Sequence, residues 1–290
     1  MSHIHPLAII DPGAEIGRDV AIGPWCIVES GAVIGDGCRL ESRVIVKSRT
    51  TLGRGNEISE GAVLGGAAQH AVAQEPGGRL IVGDNNRIRE NCTLHRGYAN
   101  DAVTTIGDNN LIMVGAHIAH DCRVGNQCIL VNNSMLGGHV TVDDRAYVSG
   151  GVGVHQFCRI GKLAILGALA RVVQDVPPFV TVEGGGAGQI VGLNKVGLRR
   201  AGYTTEEVLQ LKAAYRVIYR QGLRWNEVLQ ILKTEFSNGP AAAFYDFLKT
   251  GKRGFVQERR ISRTATLKIA AVPAAEERVE EVRAKQRDAA

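Results

Sequence analysis

Apolar residues recur along most of this chain with a period that fits neither a helix nor a single strand. Every sixth residue from Ile4 to Val172 is isoleucine, leucine or valine, except at His70, Pro76 and Asn100. A helix repeats its apolar side every 3.6 residues and a strand every 2. A strict period of six marks short flat faces joined by corners, a parallel β-helix of stacked hexapeptides. Two flanking columns agree. The residue two before each aliphatic is small, as at Ala8, Ala32, Cys38, Ala116 and Ala146, and the one just after is often glycine, as at Gly17, Gly35, Gly107 and Gly161. These glycines are expected to supply corners of positive φ. Three faces make a coil of about 18 residues, so residues 4–172 predict about nine coils. At ~4.8 Å per strand the prism is roughly 45 Å long. Its hand is left open by the period alone.

The beat is interrupted twice without losing phase, near 66–81 and near 97–105, where polar and Gly/Ala-rich stretches predict loops thrown out of the coil. Loops on a rigid scaffold are where binding groups commonly sit. The repeat ends at Asp175-Val176-Pro177-Pro178, and Gly184-Gly185-Gly186 reads as a linker. From Thr204 the spacing becomes helical. Thr204 with Glu207 predicts a capping box, and Trp225–Phe236 and Ala241–Leu248 predict two further helices. The expected organisation is therefore a mainly β protein, with a β-helix over 1–187 and a small helical C-terminal domain over 188–259. A charged tail over 260–290, rich in Ala, Glu, Arg and Lys, is expected to be flexible.

Composition narrows the partners. A net charge of +5 over 290 residues suits an acidic protein partner but is too weak and dispersed to argue for nucleic acid. No stretch approaches the ~18 apolar residues of a membrane span and no secretory leader is evident, so a cytoplasmic protein without a transmembrane segment is expected. All six cysteines (Cys26, Cys38, Cys92, Cys122, Cys128 and Cys158) fall in the small inward column. They are expected to act as core filler, which argues against disulfides, a cysteine nucleophile and thiolate metal ligation.

The chemistry concentrates in histidines. In Ala116-His117-Ile118-Ala119-His120-Asp121-Cys122 the register turns Ala116, Ile118 and Cys122 inward and His117, His120 and Asp121 outward. His117, His139 and His155 lie close to one coil apart and could line one groove. One reading is a histidine metal site. The other is general-base catalysis by His120, oriented by Asp121, since a neutral imidazole can take a proton from an attacking hydroxyl.

The ordered set Asn86-Arg87-Ile88-Arg89-Glu90, His95-Arg96-Gly97, His117 to Cys122, Gly138-His139-Val140, Val154-His155-Gln156-Phe157 and Gln174-Asp175-Val176-Pro177-Pro178 resembles the acyl-carrier-protein-dependent UDP-N-acetylglucosamine 3-O-acyltransferases. The resemblance spans about residues 4–258. It implies a left-handed β-helix assembled as a homotrimer, with sites between neighbours, opening lipid A synthesis without a cofactor or metal. It further implies His120 as base, Asp121 behind it and the Gly138 N–H as oxyanion donor. His117, His139, His155 and Gln156 would be substrate contacts, Asn194 and Arg200 nucleotide contacts, and Ala168 the position that limits acyl-chain length. The partners implied are acyl carrier protein and a UDP-sugar. Departures occur where the family contacts the sugar nucleotide. Gln69-His70-Ala71-Val72 replaces a Gln-Asp-x-Lys stretch, and Val196 and Ala201 replace a Glu and an Arg. A different amino-sugar nucleotide acceptor, or a non-catalytic binder of the carrier protein or nucleotide, therefore stands beside the main expectation.

Overall fold

The computed structural model describes residues 2–72, 77–186 and 188–259. Residues 1–259 form one compact unit; the tail expected over 260–290 lies outside the described residues. The repeat builds a left-handed parallel β-helix whose strands are mostly two residues long and fall into three faces. The first face starts at His3–Ile4, the second at Ile9–Ile10 and the third at Glu15–Ile16. Successive strands of a face are parallel and one coil apart, as in Ile118↔Leu136 and Leu136↔Val154.

The sixth-residue aliphatics and the small column two before them fill the prism. Ile58, Leu94, Ile118, Leu136 and Leu166 are buried, and all six cysteines are fully buried. Burial pushes the thiols up, Cys122 and Cys128 to about 12 and Cys92 and Cys158 to about 11. Desolvation disfavours the thiolate, so these sulfurs are poor nucleophiles and poor ligands.

The corners differ from expectation. Positive φ falls three residues after most of the aliphatics rather than one after, at positions that include Asp19, Trp25, Arg43, Asn91, Asp121, His139 and Phe157. One left-handed residue per hexapeptide turns the chain from each face to the next. The glycine column serves close approach instead. A Cβ at Gly35 would lie 2.4 Å from the Gly53 carbonyl oxygen of the next coil, and one at Gly161 would lie 2.4 Å from the Pro178 nitrogen. Only a bare Cα fits between stacked corners.

Both external loops are shorter than their sequence suggests. Arg79–Val82 and Val103–Ile106 are strands of the third face, because Leu80 pairs with Thr50 on one side and Thr104 on the other. Among the described residues the loops proper occupy 67–72 and 77–78, and 96–102. Their insertion keeps the register in multiples of six, with Val82 opposite both Leu52 and Ile106.

The helical segment also begins later than 188. Ile190–Leu193 runs antiparallel to Val180–Val182 and extends the first face, since its backbone completes the sheet edge. Four helices follow, α1 (Lys195–Arg200), α2 (Thr205–Tyr219), α3 (Trp225–Glu235) and α4 (Ala242–Leu248). Thr204 and Glu207 form the predicted capping box of α2. Leu198, Leu211, Leu232 and Phe244 pack with Leu163 and Phe179 of the last coil, so the helices close that end of the prism. An uncovered end would present open strand edges. Arg159 clamps the junction. It pairs with the buried Asp175 at 2.8 Å and lies 4.2 Å from the Phe247 ring.

Candidate active site

The corner between the second and third faces stacks His120, Gly138 and Gln156 in successive coils, with the left-handed residues Asp121, His139 and Phe157 beside them. Asp121 is fixed from three sides. Its N–H donates to Thr104 Oγ1 at 2.8 Å, and its Oδ2 accepts from His120 Nδ1 at 2.6 Å and from the Tyr98 N–H at 3.1 Å. The His120 ring proton is thereby held on Nδ1, leaving a lone pair on Nε2. Both side chains are only about a tenth exposed, at 11% and 12%. His120 leaves the prism as its register requires, yet it is buried because the loops roof it over.

The Nε2 edge rests above Gly138. A Cβ there would come within 2.7 Å of His120 Cε1 and 2.8 Å of Nε2. Among the described residues no protein acceptor takes the Gly138 N–H. A base and an unspent backbone donor therefore face the same space.

The walls are aromatic. His139 stands edge-on to His120 with ring centroids 5.2 Å apart and stacks on Phe157 at 4.5 Å, and its Nε2 lies 3.8 Å from Asp121 Oδ2. His117 packs against His95 at 5.1 Å and bonds Thr93 Oγ1 through Nδ1. Burial lowers the affinity of His95, His117 and His139 for a proton, so these rings favour the neutral form. Tyr98, which the sequence did not single out, and His70, which stands in the altered Gln69–Val72 stretch, complete the roof at 5.9 Å and 6.1 Å from His120. Phe157 and Thr104 were likewise not picked out as site residues. None of the four carries a periodic signal of chemistry.

With this geometry in place, the comparisons with known proteins are decisive. Residues 175–256 match the family described as UDP N-acetylglucosamine O-acyltransferase, domain 2, and residues 104–138 match the bacterial transferase hexapeptide repeats. Over 259 residues, 89% of this chain, it is 49% identical to the whole acyl-[acyl-carrier-protein]–UDP-N-acetylglucosamine O-acyltransferase of Ectopseudomonas mendocina. The enzyme of that name from Pseudomonas fluorescens is 50% identical over the same span. The chain belongs to this acyltransferase family. Among solved structures, the UDP-N-acetylglucosamine acyltransferase of Francisella novicida superposes with a TM-score of 0.85 at 38% identity, covering 88% of this chain and 94% of that one. The Acinetobacter baumannii structure gives 0.84 at 38% identity, with 88% and 99% covered.

Other residues singled out by the acyltransferase resemblance are not gathered at this corner within one chain. Asn194 is buried, and its carboxamide bonds the chain itself: Oδ1 accepts from the Gly197 N–H to cap α1, and Nδ2 donates to the Leu163 carbonyl. These two bonds fix the start of α1 and leave the second Nδ2 hydrogen and the second Oδ1 lone pair uncommitted. Arg200 is exposed at the end of α1. His155 is exposed and bonds Arg253 at 3.1 Å. Ala168 stands on a different prism edge, the corner between the first and second faces, where its carbonyl accepts from the Gly185 N–H. Donor atoms of His120, Asp121 and His139 lie within 4.8 Å of one another, close enough for a cation. The shortest of those contacts is the hydrogen bond that orients His120, and Tyr98 shares the same carboxylate oxygen.

Proposed function

We propose that this protein transfers a fatty acyl chain, 3-hydroxylated in the expected donor, from acyl carrier protein to the 3-hydroxyl of UDP-N-acetylglucosamine, the reaction that the family resemblance places at the start of lipid A synthesis. The observation that carries the reading is the His120 tautomer, set by Asp121, with its free Nε2 above the unspent Gly138 N–H. His120 Nε2 removes the proton from the sugar hydroxyl as its oxygen bonds to the thioester carbonyl carbon. Negative charge develops on the carbonyl oxygen, and the Gly138 N–H donates to it. The adduct collapses by breaking the C–S bond, and the proton on His120 passes to the departing thiolate of the carrier. The chemistry needs no metal or cofactor, so turnover is expected to survive chelation; loss of activity that added divalent metal restores would favour the cation reading of His120, Asp121 and His139.

The separation of Ala168, Arg200 and the His120 column supports a site completed by a neighbouring copy, as in a homotrimer. Outward apolar columns fit that assembly: Ile9, Ile27, Ile45 and Val63 on the second face, and Leu111, Ile129, Tyr147 and Ile165 on the first, are all at least partly exposed. Among the described residues no helix is long and apolar enough to cross a membrane. The deciding experiment is a transfer assay with one acyl-carrier-protein donor against UDP-N-acetylglucosamine and its amino-sugar analogues, alongside the solution mass. Transfer to UDP-N-acetylglucosamine by a trimer is expected, and transfer only to an analogue would reassign the acceptor. In the same assay Ala168→Gly should move the preferred chain slightly longer, because well-packed walls resist even one added methylene. An unchanged length profile would remove Ala168 from that role.

A further inference from the structure

The His120 imidazole has two working edges. Nε2 faces the space above Gly138, and Nδ1 faces Asp121 Oδ2, 2.6 Å away. Beside that hydrogen bond stands His139, with Nε2 3.8 Å from the same carboxylate oxygen. One donor atom from each of His120, Asp121 and His139 lies within 4.8 Å of the other two. Two imidazole nitrogens and a carboxylate oxygen suit a borderline divalent ion such as Zn2+, whose bonds to N and O are about 2.0–2.2 Å. The three side chains are also held from outside. Asp121 accepts the Tyr98 N–H at 3.1 Å and gives its own N–H to Thr104 Oγ1, and the His139 ring stacks on Phe157 at 4.5 Å. Outer contacts of this kind keep metal ligands oriented. A cavity of about 560 Å³ lies against these ligands on the side of the third face, with Asp101, Asp121, Arg123 and His139 in its wall. The His139 side chain is 41% exposed, so an ion can reach the group.

We propose that Zn2+, or another ion of its class, binds His120 Nδ1, Asp121 Oδ2 and His139 Nε2 and inhibits acyl transfer by reversing the tautomer of the base. The inference rests on the acyl-transfer reading and adds a regulatory ligand to the same corner. Nδ1 takes the metal only after giving up its proton. A neutral imidazole ligated through Nδ1 carries its proton on Nε2. The lone pair that would accept the proton of the sugar hydroxyl is then an N–H, while the ring still holds one proton in all. Asp121 Oδ2 exchanges its bond from His120 for one to the metal and goes on accepting from Tyr98. The ion sits at the edge of the ring away from Gly138, so it disables the base without occupying the place of the reacting hydroxyl.

The test compares metal-free, untagged wild type with His139→Phe and His139→Asn, by Co2+ absorption and by acyl transfer. Phenylalanine keeps a ring against Phe157 while removing the ligand, and Phe157 itself shows that this left-handed position accepts it, with φ of 66°. The wild type should develop visible cobalt bands that saturate and that Zn2+ abolishes by displacement. In both variants the affinity for Co2+ and Zn2+ should fall at least ~10-fold, since losing a ligand costs no less than losing an outer contact. Zn2+ should lower kcat in the wild type, a chelator should restore it, and excess UDP-N-acetylglucosamine should not. Mg2+ and Ca2+, which prefer oxygen ligands, should leave the rate unchanged at the same concentration. Absence of saturable cobalt bands, equal metal affinity in the variants, binding without inhibition of an active parent, relief by excess sugar nucleotide, or equal inhibition by Mg2+ overturns the proposal. The cobalt spectrum needs no turnover. A failed acyltransferase reading therefore shows as a metal-free parent that binds cobalt but transfers nothing, and a failed metal site as an active parent indifferent to Zn2+.

Discussion

The corner that carries His120 and the corner between the third and first faces are built on the same backbone. Each has one left-handed residue per hexapeptide: Asp121, His139 and Phe157 in one, with φ of 61°, 60° and 66°, and Asn109, Gln127 and Arg145 in the other, with φ of 57°, 55° and 60°. They differ in what happens to the backbone N–H just before that residue. At the third-to-first corner a ladder of Asp and Asn side chains consumes it. Asp84 N–H donates to Asp108 Oδ1, Asp108 N–H to Asn126 Oδ1, and Asn126 N–H to Asp144 Oδ1, all at 2.7 Å. At the catalytic corner Gln156 stands where the ladder would place Asn or Asp, and the Gly138 N–H stays unspent. One corner bonds its donors within the fold, and the other leaves one open at the proposed site. Stacked hexapeptides present such a donor at every coil, and at Gly138 it lies beneath the His120 ring.

The largest expected effect removes the group that makes the catalytic corner different. His120→Ala should lower turnover at least ~100-fold, the usual scale for loss of a general base, with an unchanged melting temperature. Near-normal turnover in the folded variant would leave the two corners chemically equivalent and end the mechanism.

Gln156→Asn sharpens the comparison by importing the ladder. The shorter side chain should cap the Gly138 N–H as Asn126 caps Asp108, costing about 10²- to 10³-fold in kcat, as for a lost oxyanion donor, without loss of stability. Full activity in this variant would show that Gly138 is not the donor. The converse change, Asn126→Ala, should leave kcat intact but destabilise the fold by about 1–3 kcal/mol in a denaturant titration, because the Asp108 N–H loses its partner. A kcat loss with unaltered stability would reverse the assigned roles.

The smallest effect is in pH. His95, His117 and His139 hold protons less readily in the fold than the ordinary value of 6.5, chiefly through burial. The unfolded chain therefore binds more protons just below pH 6.5, and stability should fall as pH drops through that value toward the folded pKa values. Replacing His139 with Asn should flatten that slope in melting curves taken between pH 7 and about 5. The same slope in His139→Asn would place the pH response elsewhere, for instance at the other two histidines.

The sequence by itself determined the prism, the burial of every cysteine and the outward placement of His117, His120 and Asp121. These follow from a local rule repeated coil after coil, with a one-residue slip exposing the whole aliphatic column. It did not reveal which corner residue takes positive φ, because glycine is abundant in the wrong column for a different reason, the close approach of stacked coils. Tertiary structure alone decided three further matters. The Asn194 carboxamide bonds Gly197 and Leu163; His70 and Tyr98 are brought over His120 by loops that have no period; and the Gly138 N–H is left without a protein acceptor by the residue 18 positions later in the chain. Each depends on contacts between separate segments, which a periodic pattern does not encode, whereas the core obeys that pattern at every turn.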